Sequence, residues 1–259
     1  METKLERISQ LSRENPNMVF TSIGHLINKE MLKSCHEEMN EDKAVGIDGI
    51  TKEEYSRNLD KNLESLVERI KKKSYKPKPA RLVEIPKDNG KMRPLSIYSY
   101  EDKLVQEALR RLLEAVFEPC LYDEMMGFRP NRNCHKAIQK LNTMLERKPV
   151  SYVLDADIKG FFDHMEHEWI IRFIESKIKD QNVIRLVRRM LKAGIMKDYQ
   201  YEDTEEGSGQ GSIYSPIISC IYMHYVLVWW FKEVVQPKLR GYAGLVVYAC
   251  LLYTSDAAD

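Results

Sequence analysis

Apolar residues recur at three- and four-residue spacing from Leu26 to Met39 and from Leu59 to Ile70, which predicts two amphipathic helices in a mainly helical stretch over residues 1–75. Between them, Gly46, Asp48 and Gly49 mark a turn. Thr51 with Glu54 three residues on has the reciprocal capping pattern that starts a new helix. Arg81-Leu-Val-Glu-Ile-Pro86 and Arg93-Pro-Leu-Ser-Ile-Tyr98 predict short strands around Lys87-Asp-Asn-Gly-Lys91, whose Asp-Asn-Gly turn predicts a hairpin. A long helix is expected from Glu101 to Phe117, because Leu104, Val105, Ala108, Leu112 and Ala115 share one face. The loop Phe128-Arg-Pro-Asn-Arg-Asn-Cys-His135 leads into a helix from about Cys134 to Glu146, and Lys148-Pro149 breaks it. A strand over Ser151–Ile158 and a helix over His167–Ile178 follow. The acidic run Glu202–Glu206 then reads as a loop before the glycine-bearing segment Gly207–Ser212.

Composition narrows the class. With 259 residues, 43% of them hydrophobic and 31% charged, the chain has enough apolar surface for one large domain or two modest ones. Its net charge of +1 excludes a uniformly basic coat protein, yet Lys61 to Pro94 holds eleven Lys/Arg against four Asp/Glu. The five cysteines are scattered without a CxxC pair, so neither a disulfide framework nor a zinc site is expected. The mixed-charge start has no apolar run behind it, which points to a cytoplasmic chain. Ile213 to Phe231 carries no formal charge and is about as long as a bilayer span. Ser215, Pro216, Ser219 and His224 interrupt it, so a buried helix and no membrane partner are expected.

Two segments carry candidate chemistry. In Tyr152-Val-Leu-Asp-Ala-Asp-Ile158, period-two alternation puts Asp155 and Asp157 on one strand face and Leu154, Ala156 and Ile158 on the other. A carboxylate at the end of a buried strand is a suitable Mg²⁺ ligand, because the ion takes hard oxygen donors, although a turn or cap role explains the same residue taken alone. In Gly209-Gln-Gly-Ser-Ile-Tyr-Ser-Pro216, glycines precede a helix start with Pro216 in its first turn. Spacing alone makes that segment a loop before a buried helix. His135 and His164 have no partnered nucleophile and read as structural.

In chain order there are a basic hairpin, the Phe128-Arg-Pro loop, Asp155-Ala-Asp-Ile-Lys-Gly-Phe-Phe-Asp163, the Gln210-Gly-Ser turn with Ser215-Pro216, and Val246-Val-Tyr-Ala249. This order resembles the reverse transcriptases and maturases encoded by bacterial group II introns, over roughly residues 20 to 249. The resemblance implies an α+β fold: right-hand polymerase fingers and palm, an antiparallel palm sheet backed by helices, and a helical N-terminal extension. It implies an N-terminal extension over residues 1–55, fingers over 56–150 and an incomplete palm over 151–249. By the same resemblance Asp157 is the catalytic and metal-binding carboxylate of a site that uses two Mg²⁺ ions in nucleotidyl transfer. Lys87, Arg93 and Lys91 reach the incoming triphosphate, and Phe162 lies under its sugar and excludes a 2′-hydroxyl. Gln210 and Gly211 pack against the nascent base pair, and Arg129 stands on the template side. Lys71, Lys72 and Lys73 suit an RNA backbone. The implied partners are an RNA template, expected to be group II intron RNA, a DNA primer or target, and deoxynucleoside triphosphates. Retron-type and diversity-generating reverse transcriptases share the palm motifs and are the alternative within the family.

One departure qualifies the implied activity. After Tyr248-Ala249 the family continues with two aspartates, whereas this chain has Cys250-Leu251. Residues 250–259 can be encoded by a string that looks like the transposon end and adapter of a sequencing library, so they are expected to be a non-native tail that says nothing about the native fold. Two classes remain: the truncated record of an RNA-directed DNA polymerase, itself inactive, or a polymerase-dead, RNA-binding maturase-like protein.

Overall fold

The protein is described from a computed structural model, which covers residues 2–41, 44–86, 90 and 92–256. Helices α1 (Glu2–Glu14), α2 (Lys29–Glu38), α3 (Lys52–Ser56) and α4 (Leu59–Lys71) precede strands β1 (Ala80–Pro86) and β2 (Met92–Ile97). Next come α5 (Tyr100–Phe117), α6 (Cys134–Arg147), β3 (Tyr152–Asp157), α7 (His167–Glu175) and α8 (Gln181–Leu191). Strands β4 (Ile195–Lys197) and β5 (Gln200–Glu202), helix α9 (Ser215–Met223) with a π-helical continuation, and strands β6 (Ala243–Tyr248) and β7 (Leu251–Asp256) complete the order. The α+β class expected from the sequence is the one observed.

Helix α5 is the centre of the core. Leu104, Val105, Ala108, Leu109, Leu112, Leu113 and Val116 have no exposed surface, so the helix is apolar well beyond one stripe. Its start is anchored by Asp102, which accepts from Tyr75 Oη at 2.5 Å, Ser99 Oγ at 2.5 Å and the Lys78 amide at 2.9 Å. Burial pushes that carboxyl's pKa up, against the three hydrogen bonds. The hub ties residues 75–78, which lead into β1, to the helix that follows β2. The capping box at α3 forms as its spacing predicts: Glu54 N–H donates to Thr51 Oγ1 at 3.1 Å, and Thr51 N–H donates to Glu54 Oε2 at 3.0 Å.

Two sheets frame the site. The first has order β2-β1-β4-β5, with β1 antiparallel to β2 and parallel to β4. The second has order β3-β7-β6, all antiparallel. Strands β4 and β5 extend the sheet that β1 and β2 begin, while Met126 N–H donates to the Val247 carbonyl at 2.7 Å and stitches the 124–126 segment to β6. Leu251–Asp256 forms the middle strand of the second sheet. The apolar run after Pro216 is α9 and its continuation. Among the described residues no helix is long and apolar enough to cross a membrane.

Candidate nucleotide and nucleic-acid site

Asp157 ends β3, where it pairs in register with Leu251, and Leu251 pairs on its other side with Tyr248. The Ala249–Cys250 turn therefore sits beside Asp157, and the Ile158 amide donates to the Cys250 carbonyl at 3.2 Å. Gly127 forms the floor of this turn. A side chain there would collide with the Ala249 amide and stand 3.1 Å from Ala249 Cα, so the close approach requires glycine. The strand expected to be buried is instead an exposed edge: Tyr152, Val153 and Leu154 are at least half exposed, and Asp155 and Asp157 are also open. The cause is strand order, since β7 takes the central place and leaves β3 one neighbour.

Beyond Asp157 the chain turns through Gly160, and the Asp163 amide donates to the Gly160 carbonyl at 2.9 Å. This turn sets Phe162 edge-on to Phe161, at 5.7 Å between centroids, and to Phe128 at 6.0 Å. The Ser208 amide donates to the Phe162 carbonyl at 2.8 Å and brings in the glycine turn. That turn is clamped from two sides. The Ser96 amide of β2 donates to the Gln210 carbonyl at 2.7 Å, and the buried Gln106 Oε1 of α5 accepts from Ser212 Oγ at 3.2 Å and the Ile213 amide at 3.0 Å. Gly211 has φ +101°, and a Cβ there would lie 2.7 Å from Leu95 and 2.8 Å from the Ser96 carbonyl oxygen, so only glycine fits. Gln210 Nε2 donates to Asp163 Oδ1 at 3.4 Å. Phe162, Gln210, Pro94 and Tyr98 share the wall of a cavity of about 200 Å³ between strands β1 and β2 and the loops that follow β3 and β5.

The remaining expected residues are placed unevenly. Arg93 is exposed on β2 opposite Ile85, whereas Lys87 and Lys91 lie outside the described residues. Lys71, Lys72 and Lys73 are exposed at the end of α4, and Lys72 pairs with Glu68 at 2.6 Å. Arg129 requires a correction, because its side chain is only 3% exposed. Its Nε and Nη2 fork onto Glu118, and Nη1 donates to the Tyr122 and Met125 carbonyls at 2.6 and 3.0 Å. With those donors engaged inside the chain, the guanidinium holds a loop instead of facing a template. The residue that does emerge is the preceding Phe128, 51% exposed at φ 56° beside Phe162. Sequence reasoning also missed Gln106, a polar residue in an otherwise apolar helix face, which was the available signal. His164 is exposed and lies 3.4 Å from Glu206.

The resemblance implies divalent metal ions, and the residues at this turn do not supply the set of hard oxygen donors that such ions take. Among the described residues no three His, Cys, Asp or Glu are grouped to hold an ion. Asp157 is joined at the turn by Cys250, whose thiol pKa is raised by burial and then by the Asp157 carboxylate. A protonated soft thiol is a poor ligand for a hard cation.

A family model described as reverse transcriptase (RNA-dependent DNA polymerase) matches residues 85–250. The chain is 36% identical over 238 residues to the group II intron-encoded protein LtrA of Lactococcus lactis subsp. cremoris, covering 91% of this chain and 39% of LtrA. It is 34% identical to an uncharacterized 91 kDa protein in the cob intron of Schizosaccharomyces pombe, covering 85% of this chain and 28% of that protein. Similarity to protein YkfC of Escherichia coli is 31% identity, covering 69% of this chain and 48% of that one. The chain therefore spans less than half the length of each. Among solved structures, a chain of a partial Cas6-RT-Cas1--Cas2 complex matches with a TM-score of 0.50 and 15% identity, over 90% of this chain and 38% of that one, a likeness of fold.

Proposed function

Because the chain belongs to the reverse transcriptase (RNA-dependent DNA polymerase) family, in its group II intron-encoded branch, we propose that it is the fingers-and-palm part of a cytoplasmic enzyme that copies RNA into DNA. Its template and maturase partner is group II intron RNA, its primer is DNA, and its substrates are deoxynucleoside triphosphates. The observation that carries this reading is the adjacency of Asp157 to the Ala249–Cys250 turn, with Phe162 and Gln210 on one cavity wall further along the chain. In this reading Asp157 is the retained catalytic carboxylate, and Phe162 stands under the sugar of the incoming nucleotide. Arg93, with Lys87 and Lys91, holds the triphosphate by charge-assisted hydrogen bonds. Gln210 and Gly211 pack on the nascent pair, and Lys71, Lys72 and Lys73 meet the RNA backbone.

As written, the chain is inactive in this reading, because Cys250 and Leu251 stand where the family has carboxylates. The same observation supports a second reading, a maturase-like protein that binds intron RNA without polymerising. Primer extension separates them. The 259-residue chain should give no product. A longer native version with aspartates at 250 and 251 should extend, and Asp157→Ala in it should abolish extension while leaving RNA binding intact. Clear extension by the chain as written would sink the first reading. A longer native version that lacks those aspartates, binds intron RNA and never extends would establish the second.

A further inference from the structure

Helix α8 has two contrasting faces. Val183, Ile184, Leu186, Val187, Met190 and Leu191 are buried in the core. Arg185, Arg188, Arg189 and Lys192 follow at three- and four-residue spacing and so share the outer face within about a 100° arc. Across from them runs the extended segment leading into β1, with exposed Lys76, and the two walls enclose an open groove of about 610 Å³. Pro77 and Pro79 line the second wall and hold its backbone extended. Tyr201 closes one side, half exposed. Its ring packs against Gly194, and its hydroxyl donates to Asp203 at 2.8 Å, so the ring is held in place.

No Asp or Glu lines this groove, and among the described residues none of the five cations is in an ion pair. That is unusual in a chain of net charge +1, whose cations are elsewhere often neutralised by neighbours. The helix dipole favours Arg188 and Arg189 in the last turn of α8, but it does not account for Arg185 or for Lys76 across the gap. Arg189 donates to the Tyr75 carbonyl and braces the wall. Arg185, Arg188 and Lys76 remain as a concentrated positive field beside an aromatic platform, and Lys192 stands at the groove's edge, where it also borders a neighbouring pocket lined by Glu166, Glu168, Asp203, Glu205 and Glu206.

We propose that this groove binds a single-stranded segment of RNA, with phosphates on the α8 cations and Lys76 and a base stacked on Tyr201. The combination of a cationic track with a fixed aromatic ring is what single-strand recognition requires. The choice of RNA rests on the reading of the chain as part of a group II intron reverse transcriptase. Apart from Ala193, the groove's lining differs from that of the cavity beside Gln210, so it is a second contact surface.

The test is fluorescence anisotropy with the full 259-residue chain and a labelled oligo(U) 20-mer across a salt series, without Mg²⁺ or nucleotides. The variant Arg185→Gln/Arg188→Gln/Lys192→Gln removes three cations that make no ion pair. At roughly 0.7 per lost phosphate contact, the log–log salt slope should flatten by about 2, which is about a hundredfold in affinity between 0.1 and 1 M salt. Tyr201→Leu should weaken binding about fivefold or more with the slope unchanged. Circular dichroism and the urea midpoint establish that each variant folds. Arg188→Glu/Lys192→Glu, at two exposed sites, gives an independent second variant that should also weaken binding. Unchanged affinity and slope in the folded triple variant, with wild type binding, would overturn the groove alone. Failure of the wild-type chain to bind RNA at any salt would overturn the parent reading and the groove with it. Tighter binding of oligo(dT) or of phosphatidylglycerol vesicles, with the same sensitivity to the triple variant, would overturn RNA as the occupant.

Discussion

Removing the Arg129 guanidinium distinguishes a buried tie from a template contact. Its donors hold the Glu118 carboxylate at 2.8–3.1 Å and two main-chain carbonyls, Tyr122 and Met125, at 2.6 and 3.0 Å. Arg129→Ala leaves the Glu118 carboxylate and the Met125 carbonyl without this donor, while the Tyr122 carbonyl keeps the Met125 amide at 3.2 Å. Truncating one partner of a buried ion pair costs about 3–5 kcal/mol, and each buried acceptor left unpaired about 1–3 kcal/mol. Glu118 keeps 26% exposure and can rehydrate, so the lower part of the combined range, about 3–5 kcal/mol, is expected. That is a large share of a typical stability of about 5–15 kcal/mol. Arg129→Lys keeps the charge but loses the fork and should cost about 1–3 kcal/mol. Urea denaturation followed by the fluorescence of Trp169, Trp229 and Trp230 measures both, and RNA affinity is measured at low temperature on folded protein. The reasoning fails if Arg129→Ala costs under about 1 kcal/mol while RNA binding is lost, because the guanidinium would then be free to act on template.

Three further expectations follow from side chains around the site. His224 is 6% exposed, and burial with nearby Arg129 and Lys177 lowers its imidazole pKa to about 4. The unfolded chain therefore binds the extra proton between about pH 6.5 and 4, so stability present above 6.5 is lost as pH falls through that window, by up to about 3 kcal/mol. His224→Phe should remove this part of the pH dependence, and parallel wild-type and variant profiles would refute it. Gln106→Leu leaves Ser212 Oγ and the Ile213 amide without their shared acceptor; it should cost about 1–3 kcal/mol and, in the longer native enzyme, raise KM for deoxynucleotides more than it lowers kcat. Gln106→Glu should restore part of the loss, and a uniform fall in kcat alone would argue against a positioning role. Phe162→Ala in that enzyme should admit ribonucleotides at a stability cost of about 2 kcal/mol, since the ring is only partly buried; unchanged sugar discrimination would make it core alone.

Local chemistry was the legible part of the sequence. The Thr51–Glu54 box, the hairpin strands, the apolar stripe of α5 and the arrival of Asp157 at a strand end all depend on neighbours within a few residues. Helix α8 carries a clear apolar period, but its start is capped by Asp180, whose side chain also accepts from the distant Ile23 and Gly24 amides, a partnership with no local signature. Strands β4 and β5 are three residues each, too short for periodicity, and exist because β4 pairs with β1 more than a hundred residues earlier. The burial of Arg129 was hidden for a related reason. The resemblance puts it on the template side, and the sequence has no local signal that Glu118, eleven residues back, encloses its guanidinium.

The turn after β6 separates what the backbone provides from what side chains decide. Its position is set by main-chain pairing of β7 between β3 and β6 and by the absence of a side chain at Gly127. None of these constraints involves a carboxylate. The identities of residues 250 and 251 can therefore change from cysteine and leucine to aspartates with the turn still against Asp157, because strand pairing uses amides and carbonyls that every residue but proline supplies. Three acidic groups at that spot would repel one another at neutral pH and favour a bound cation to offset the charge. Cysteine and leucine remove that repulsion, and with it the electrostatic reason for an ion to bind. The backbone frame of this site and its side-chain chemistry are thus set by different atoms, so the frame can persist while the residues at 250 and 251 vary.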